Sequence, residues 1–184
     1  MPDRAKKVWQ GKVFSAWQWE QKLYDGSTKT YERLKRNDVA HTVGILPDGR
    51  IFLTEDEQPD RQAVITPPGG SINPGESPKQ GAERELLEET GYQAGELVFW
   101  HSYQPNGKLD WTVHAFIGRE LVKVAEPQPE PGERIKPLFF SFEEFLALSN
   151  NPKMRDLVIR IILLEARLDL AKKEELRKLF YGRK

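Results

Sequence analysis

Gly70-Ser71-Ile72-Asn73-Pro74-Gly75-Glu76-Ser77-Pro78-Lys79-Gln80-Gly81-Ala82-Glu83-Arg84-Glu85-Leu86-Leu87-Glu88-Glu89-Thr90-Gly91-Tyr92 is the stretch on which the fold turns. Ser77 with Gln80 three residues on, and Pro78 between them, has the form of a capping box that opens a helix. Gly91 supplies a residue that ends one. If Ser77 to Thr90 is helical, Glu85, Glu88 and Glu89 stand at i, i+3 and i+4 and share one face about a turn long. Clustered carboxylates repel, and each raises the pKa of the others unless a positive charge sits among them. Hard divalent cations take oxygen ligands, and Mg²⁺ prefers one or two carboxylates together with waters and substrate phosphates. Arg84 can reach Glu88 one turn on or Glu76 across the loop, orienting the carboxylates and compensating their charge. Upstream, Pro67-Pro68-Gly69-Gly70-Ser71-Ile72-Asn73-Pro74-Gly75 leads from a strand into the helix with backbone exposed at its glycines. There a carbonyl can reach a metal and a phosphate can approach closely.

A Glu-rich helical face taken alone is usually only solvated. The complete spacing is more demanding: from Gly70, five residues lead to Glu76, seven more to Arg84-Glu85-Leu86, then Leu87, Glu88-Glu89, Thr90 and Gly91. Seven specified positions at about 6–7% each arise by chance in fewer than about one sequence in a million. The segment resembles the signature of the Nudix hydrolases, G-x5-E-x7-R-E-U-x-E-E-x-G-U with U a bulky aliphatic residue, and Tyr92 stands where the final aliphatic would be. The resemblance implies an α/β fold, an α/β/α sandwich around a mixed β-sheet, and hydrolysis of a nucleoside diphosphate linked to another group with Mg²⁺, or Mn²⁺, as cofactor. It implies that Glu85, Glu88 and Glu89, helped by the Gly70 carbonyl, hold metal. Arg84, Glu85 and Glu89 would then be catalytic, with Glu76 and Gly91 as structural members of the motif. In sugar-nucleotide members the proton-accepting carboxylate often comes from a later loop. Glu133 in Pro131-Gly132-Glu133-Arg134-Ile135 is the candidate, with Glu130 and Asp110 behind it.

The rest of the chain narrows the class. Its 184 residues allow one core with small appendages. Lys plus Arg and Asp plus Glu are both 28, a net charge of 0 with His neutral, which argues against a long nucleic acid held mainly by charge. Cysteine is absent, so thiolate zinc sites, iron–sulfur ligation, disulfide scaffolds and cysteine nucleophiles are excluded. Without an apolar signal core or an 18-residue apolar run, the expectation is a cytoplasmic protein that does not engage a membrane.

Three parts are expected: an N-terminal β-hairpin extension (1–38), a catalytic domain (39–148), and a long C-terminal helix (149–184), opened by Asn151-Pro152, that packs on the same domain. The N-terminal extension and Glu57-Gln58-Pro59-Asp60-Arg61 resemble the ADP-ribose and nucleoside diphosphate sugar branch of the family. That likeness implies a homodimer whose hairpins exchange between subunits, and a phosphate-contacting role for Arg61. Thr66 and Gly107 replace a glutamate and a proline usual in the ADP-ribose subgroup, which favours a nucleoside diphosphate sugar as the wider substrate class. Trp17, Trp19 and Trp111 are candidates for stacking on the base, against the commoner use of Trp in a core. The alternatives are a nucleoside triphosphate pyrophosphohydrolase and a non-catalytic nucleotide-sensing module. An intact Arg84, Glu85, Glu88 and Glu89 set speaks against the latter.

Overall fold

The computed structural model describes residues 1–59 and 61–182; Asp60, in the segment before Arg61, and Arg183 and Lys184 at the C-terminus lie outside the described residues. Alternating polar and apolar runs on either side of Asp25-Gly26-Ser27 form antiparallel strands β2 (Ser15–Lys22) and β3 (Thr28–Lys35). Gly26 at φ 85° and the Asp25 carboxylate, which accepts from the Ser27 N–H, close the turn between them. The expected hairpin is part of a larger unit. β1 (Lys6–Gln10) pairs antiparallel with β2, and the short β10 (Leu109–Asp110) runs parallel to β3.

The central sheet is mixed. Its order is β13 (Arg134–Phe140), β5 (Ile51–Gln58), β4 (Val39–Ile45), β11 (Val113–Arg119) and β9 (Glu96–Tyr103); β6 (Arg61–Thr66) also pairs with β5 and β7 (Gly69–Ser71) with β4. β4 and β11 are parallel, in the register Val113 to Val39, and the other pairings are antiparallel. β8 (Tyr92–Gln93) and β12 (Val122–Lys123) form a separate ribbon.

Period-two alternation sorts the central strands between two apolar layers. On one face Ala40, Phe52 and Phe116 meet Ile72, Ala82, Leu86 and Leu121, which seats helix α1 (Pro78–Thr90). Ala82, Leu86 and Thr90 repeat every fourth residue along its buried side, and burial of Leu86 alone contributes about 2 kcal/mol. On the other face Val43, Ile45, Ile51, Leu53 and Ile117 pack against α2 (Phe142–Ala147), α3 (Leu157–Leu168) and α4 (Leu170–Tyr181). This is the expected α/β/α sandwich.

The C-terminal segment differs from the expected single helix. Asn151 accepts from the Lys153 N–H and closes a turn, and the helix opens five residues later, where Asp156 Oδ1 accepts from the Ile159 N–H. Asp169, in extended conformation, ends α3 and caps α4 by accepting from the Ala171 and Lys172 N–H groups. Residues of both helices join the apolar cluster on the sheet. No helix among the described residues is long and apolar enough to cross a membrane.

Candidate active site

The capping box forms as the spacing predicts: Ser77 Oγ accepts from the Gln80 N–H and the Gln80 side chain accepts from the Ser77 N–H. At the other end Gly91 adopts φ 73°, and a Cβ there would lie 2.0 Å from the Ala125 carbonyl oxygen, so only glycine fits. Between these ends Arg84 organises the carboxylates. Its Nε and Nη2 donate to the two oxygens of Glu76 at 2.8 and 3.1 Å, and its Nη1 to Glu85 at 2.8 Å and Glu88 at 2.9 Å. Nη2 also donates to the Ser71 carbonyl at 2.9 Å, which ties the helix to the loop before it. The guanidinium and the Asn73 N–H hold Glu76 down at about 2.

Glu89 lies deeper. Burial pushes its carboxyl up to about 9 and the charges of Glu85, Glu133 and Asp56 push the same way, against one favourable hydrogen bond from the Gly69 N–H at 2.9 Å. Burial also raises Glu85, with Arg84 opposing it. Gly70 brings the backbone against this group: a Cβ there would stand 2.6 Å from Glu85 Oε1.

Among the described residues, no three His, Cys, Asp or Glu side chains are drawn together as a ready metal cage. Glu85 and Glu88 are turned to Arg84, and Glu89 to Gly69. The donors nevertheless fit a hard divalent cation, because all are oxygens and the second oxygen of each of the three carboxylates takes no hydrogen bond from the described residues.

The NUDIX domain family model matches residues 35–161, more than half of the chain. The chain belongs to the Nudix family. It is 26% identical over 154 residues to the ADP-ribose pyrophosphatase of Bacillus subtilis, covering 82% of this chain and 83% of that protein. It is 30% identical over 117 residues to the ADP compounds hydrolase of Escherichia coli, covering 60% of this chain and 63% of that protein. A crystal structure of an ADP compounds hydrolase superposes with a TM-score of 0.74 at 20% identity and covers 92% of both chains, which shows the shared fold. Members of this family work with a divalent cation.

Around the Nudix helix the structure sorts the remaining candidates. Glu133 comes near enough to Glu85 and Glu89 to raise both, and is itself raised by burial and by Asp56; Gln58 Nε2 donates to it at 3.3 Å. Glu130 contributes its carbonyl to the turn that presents Glu133, and Asp110 sits in β10 of the N-terminal sheet. Arg61 forms an ion pair with Asp56, leaving its Nη1 buried without a partner among the described residues. A cavity of about 490 Å³ adjoins the site and is lined by Gly69, Gly70, Thr66, Trp111 and Arg36 among others. Of the three tryptophans, Trp111 lines this cavity and Trp17 a neighbouring one of about 360 Å³. Trp19 is buried in the N-terminal sheet against Tyr31, with its N–H on Gln21, and lines neither.

Three residues with a part in the site had escaped the sequence reading. Asp56 is buried near the end of β5, where an acid after the apolar run Ile51 to Leu53 was the available signal. Arg36 stacks on Trp111, its guanidinium 4.3 Å from the ring centre. Asp156 takes the Tyr103 hydroxyl at 2.5 Å on the cavity wall, beside the buried His41.

Proposed function

We propose that the chain is a Mg²⁺-dependent pyrophosphohydrolase that splits the diphosphate of a nucleoside diphosphate sugar of the ADP-ribose type into a nucleoside monophosphate and a sugar phosphate. The observation that carries this reading is the junction at Gly69-Gly70. These two residues meet Glu89 and Glu85 and also line the cavity that holds Trp111, so a diphosphate at the carboxylates places the rest of its substrate in the cavity. The named relatives act on ADP-ribose and on ADP compounds, which agrees with a cavity on this scale.

Glu85, Glu88 and Glu89, with the Gly70 carbonyl, would hold the cation, Mg²⁺ or in its place Mn²⁺. When bound, it neutralises phosphate oxygens and lowers the pKa of the attacking water. Arg84 keeps Glu85 and Glu88 on one face and fastens that face to Ser71. Glu133 is held beside them as a carboxylate of raised proton affinity, suited to accept the proton of the water. The phosphate-contacting role of Arg61 is supported by its ion pair with Asp56 and by a buried Nη1 that has no partner among the described residues.

Chromatographic identification of products tests the proposal. The protein and its Glu89→Gln variant are incubated with Mg²⁺ and ADP-ribose, ADP-, GDP- and UDP-sugars, diadenosine polyphosphates or nucleoside triphosphates. Release of a nucleoside monophosphate from a sugar nucleotide by the wild type alone supports it; turnover confined to triphosphates refutes it.

A homodimer is part of the same proposal. Val8, Trp9 and Val13, each more than half exposed, give the N-terminal sheet an apolar surface suited to a second copy. The double substitution Trp9→Glu and Val13→Glu should yield a monomer by light scattering; an unchanged dimer would place the interface elsewhere.

A further inference from the structure

The linker between the N-terminal sheet and β4 carries Arg36, and its surroundings are unusual for a partly buried arginine. The guanidinium lies on the Trp111 indole and Nη2 donates to Ser71 Oγ at 2.8 Å. Its Nε is buried without a hydrogen-bond partner among the described residues, and so is Trp111 Nε1 beside it. Burial and the nearby charge of Arg155 both draw Arg36 below the ordinary arginine range.

Arg36 is also where two cavities meet. It lines the cavity of about 490 Å³ with Arg155, and the one of about 360 Å³ with Lys12 and Lys35. None of these four cations is in an ion pair among the described residues. Asp156 is the one acid on the described walls, and its oxygens already accept from the Ile159 N–H and the Tyr103 hydroxyl.

We propose that Arg36 is the centre of a second anion site, which holds a phosphomonoester on the nucleoside ribose, beyond the diphosphate that is cleaved. The proposal rests on the reading that places the diphosphate at the carboxylates of α1. From there Gly69 and Gly70 lead along the cavity wall to Trp111 and Arg36. An uncharged ribose would offer acceptors to the buried N–H groups but leave four cations facing the single carboxylate of Asp156. A phosphomonoester brings up to two negative charges and three acceptor oxygens, and suits a guanidinium that lies over the Trp111 ring with its Nε unpartnered among the described residues. Arg155, Lys12 and Lys35, exposed at the rims, add attraction without fixing orientation.

Isothermal titration calorimetry with AMP, adenosine 2′,5′-bisphosphate and adenosine 3′,5′-bisphosphate tests the site independently of turnover. The wild type is expected to bind one or both bisphosphates at least about tenfold more tightly than AMP, the gain of one charge-assisted contact. Arg36→Gln should bring that preference within about twofold. Should Arg36→Gln fail to fold, the double rim variant Arg155→Gln and Lys35→Gln should still reduce it by about threefold or more. Equal affinities for all three nucleotides, no binding by the wild type, or a preference that survives the substitutions would overturn the proposal. Turnover of ADP-ribose, measured alongside, separates the two readings. Turnover without bisphosphate preference removes only the second site, whereas preference without turnover of any diphosphate removes the hydrolase reading and leaves this site standing.

Discussion

Neighbouring glycines at 69 and 70 should respond to the same substitution in opposite ways. At Gly70 an added methyl would stand 2.6, 2.7 and 2.8 Å from Oε1, Cδ and Oε2 of Glu85, all at the free end of a flexible side chain. Ordinary contact begins near 3.4 Å, so the carboxylate must retreat by about 0.6–0.8 Å, at a cost of about 1 kcal/mol if it leaves its rotamer. The fold should hardly notice. The chemistry should, because a shift of about 1 Å at a reacting centre lowers turnover by about 100-fold. At Gly69 the methyl would meet backbone: the Ala40 carbonyl oxygen at 2.3 Å and the His41 Cα at 2.5 Å. Neither can move without separating β7 from β4, so Gly69→Ala should lose about 3 kcal/mol, or about 6–12 °C in melting temperature. The assay pairs thermal melts with Mg²⁺ titrations of ADP-ribose turnover. Gly70→Ala is expected to melt within about 3 °C of the wild type, to turn over about 100-fold more slowly and to need more Mg²⁺. Wild-type turnover in Gly70→Ala, or a melting temperature as low as that of Gly69→Ala, would refute the placement of Glu85 against the Gly70 backbone.

Glu89→Gln should lower turnover by about 1000-fold while the fold tolerates it, since burial already keeps the metal-free carboxyl protonated at neutral pH and the amide retains its shape and an acceptor for the Gly69 N–H; urea titration beside product assays checks both halves. Burial raises Glu133, so if it is the base, activity should fail as pH drops through a point above the ordinary carboxylate range, where the base becomes protonated. Glu133→Gln should then lose about 100-fold or more in kcat and the acid limb with it, and an unchanged pH profile would assign the base elsewhere. Asp156→Ala removes the cap of α3 and the acceptor for Tyr103 together, about 3 kcal/mol by thermal melting. Asp156→Asn, which keeps one acceptor, should recover about half of that.

The parts of this protein that could be read from its sequence are those whose cause is local. A capping box needs only Ser77, Pro78 and Gln80, and the acidic face of α1 needs only the period of the helix. Arg84 was foreseen for the same reason, since both of its expected partners lie within a turn or a short loop. Asp56 and Arg36 depend on contacts made across the fold. Asp56 is buried because β6 and β13 flank it, through Val64 and Ile135, and Arg36 meets a tryptophan 75 positions away, 111 − 36. β1 was missed because all five of its residues are exposed, which leaves no inward face for a pattern to mark.

The break at Asp169 is a different case, because its cause was present in the spacing. The buried positions of α3 are Ile159, Leu163 and Ala166, and those of α4 are Leu176 and Phe180. Ten residues separate Ala166 from Leu176, and at 100° per residue they fall about 80° short of three full turns. A straight helix that buried the first set would therefore turn the second toward its flank, and Phe180, fully buried against Trp100, Phe142 and Phe145, would lose its place in the core. An aspartate that ends one helix and caps the next resets the phase, so both sets face the sheet. At its other end α3 begins behind Asp156, whose carboxylate both caps the helix at the Ile159 N–H and takes the Tyr103 hydroxyl on the wall of the cavity beside Gly69 and Gly70. The start of α3, through Arg155 to Val158, thus forms one wall of the cavity that Gly69 and Gly70 border on the side of the Nudix helix.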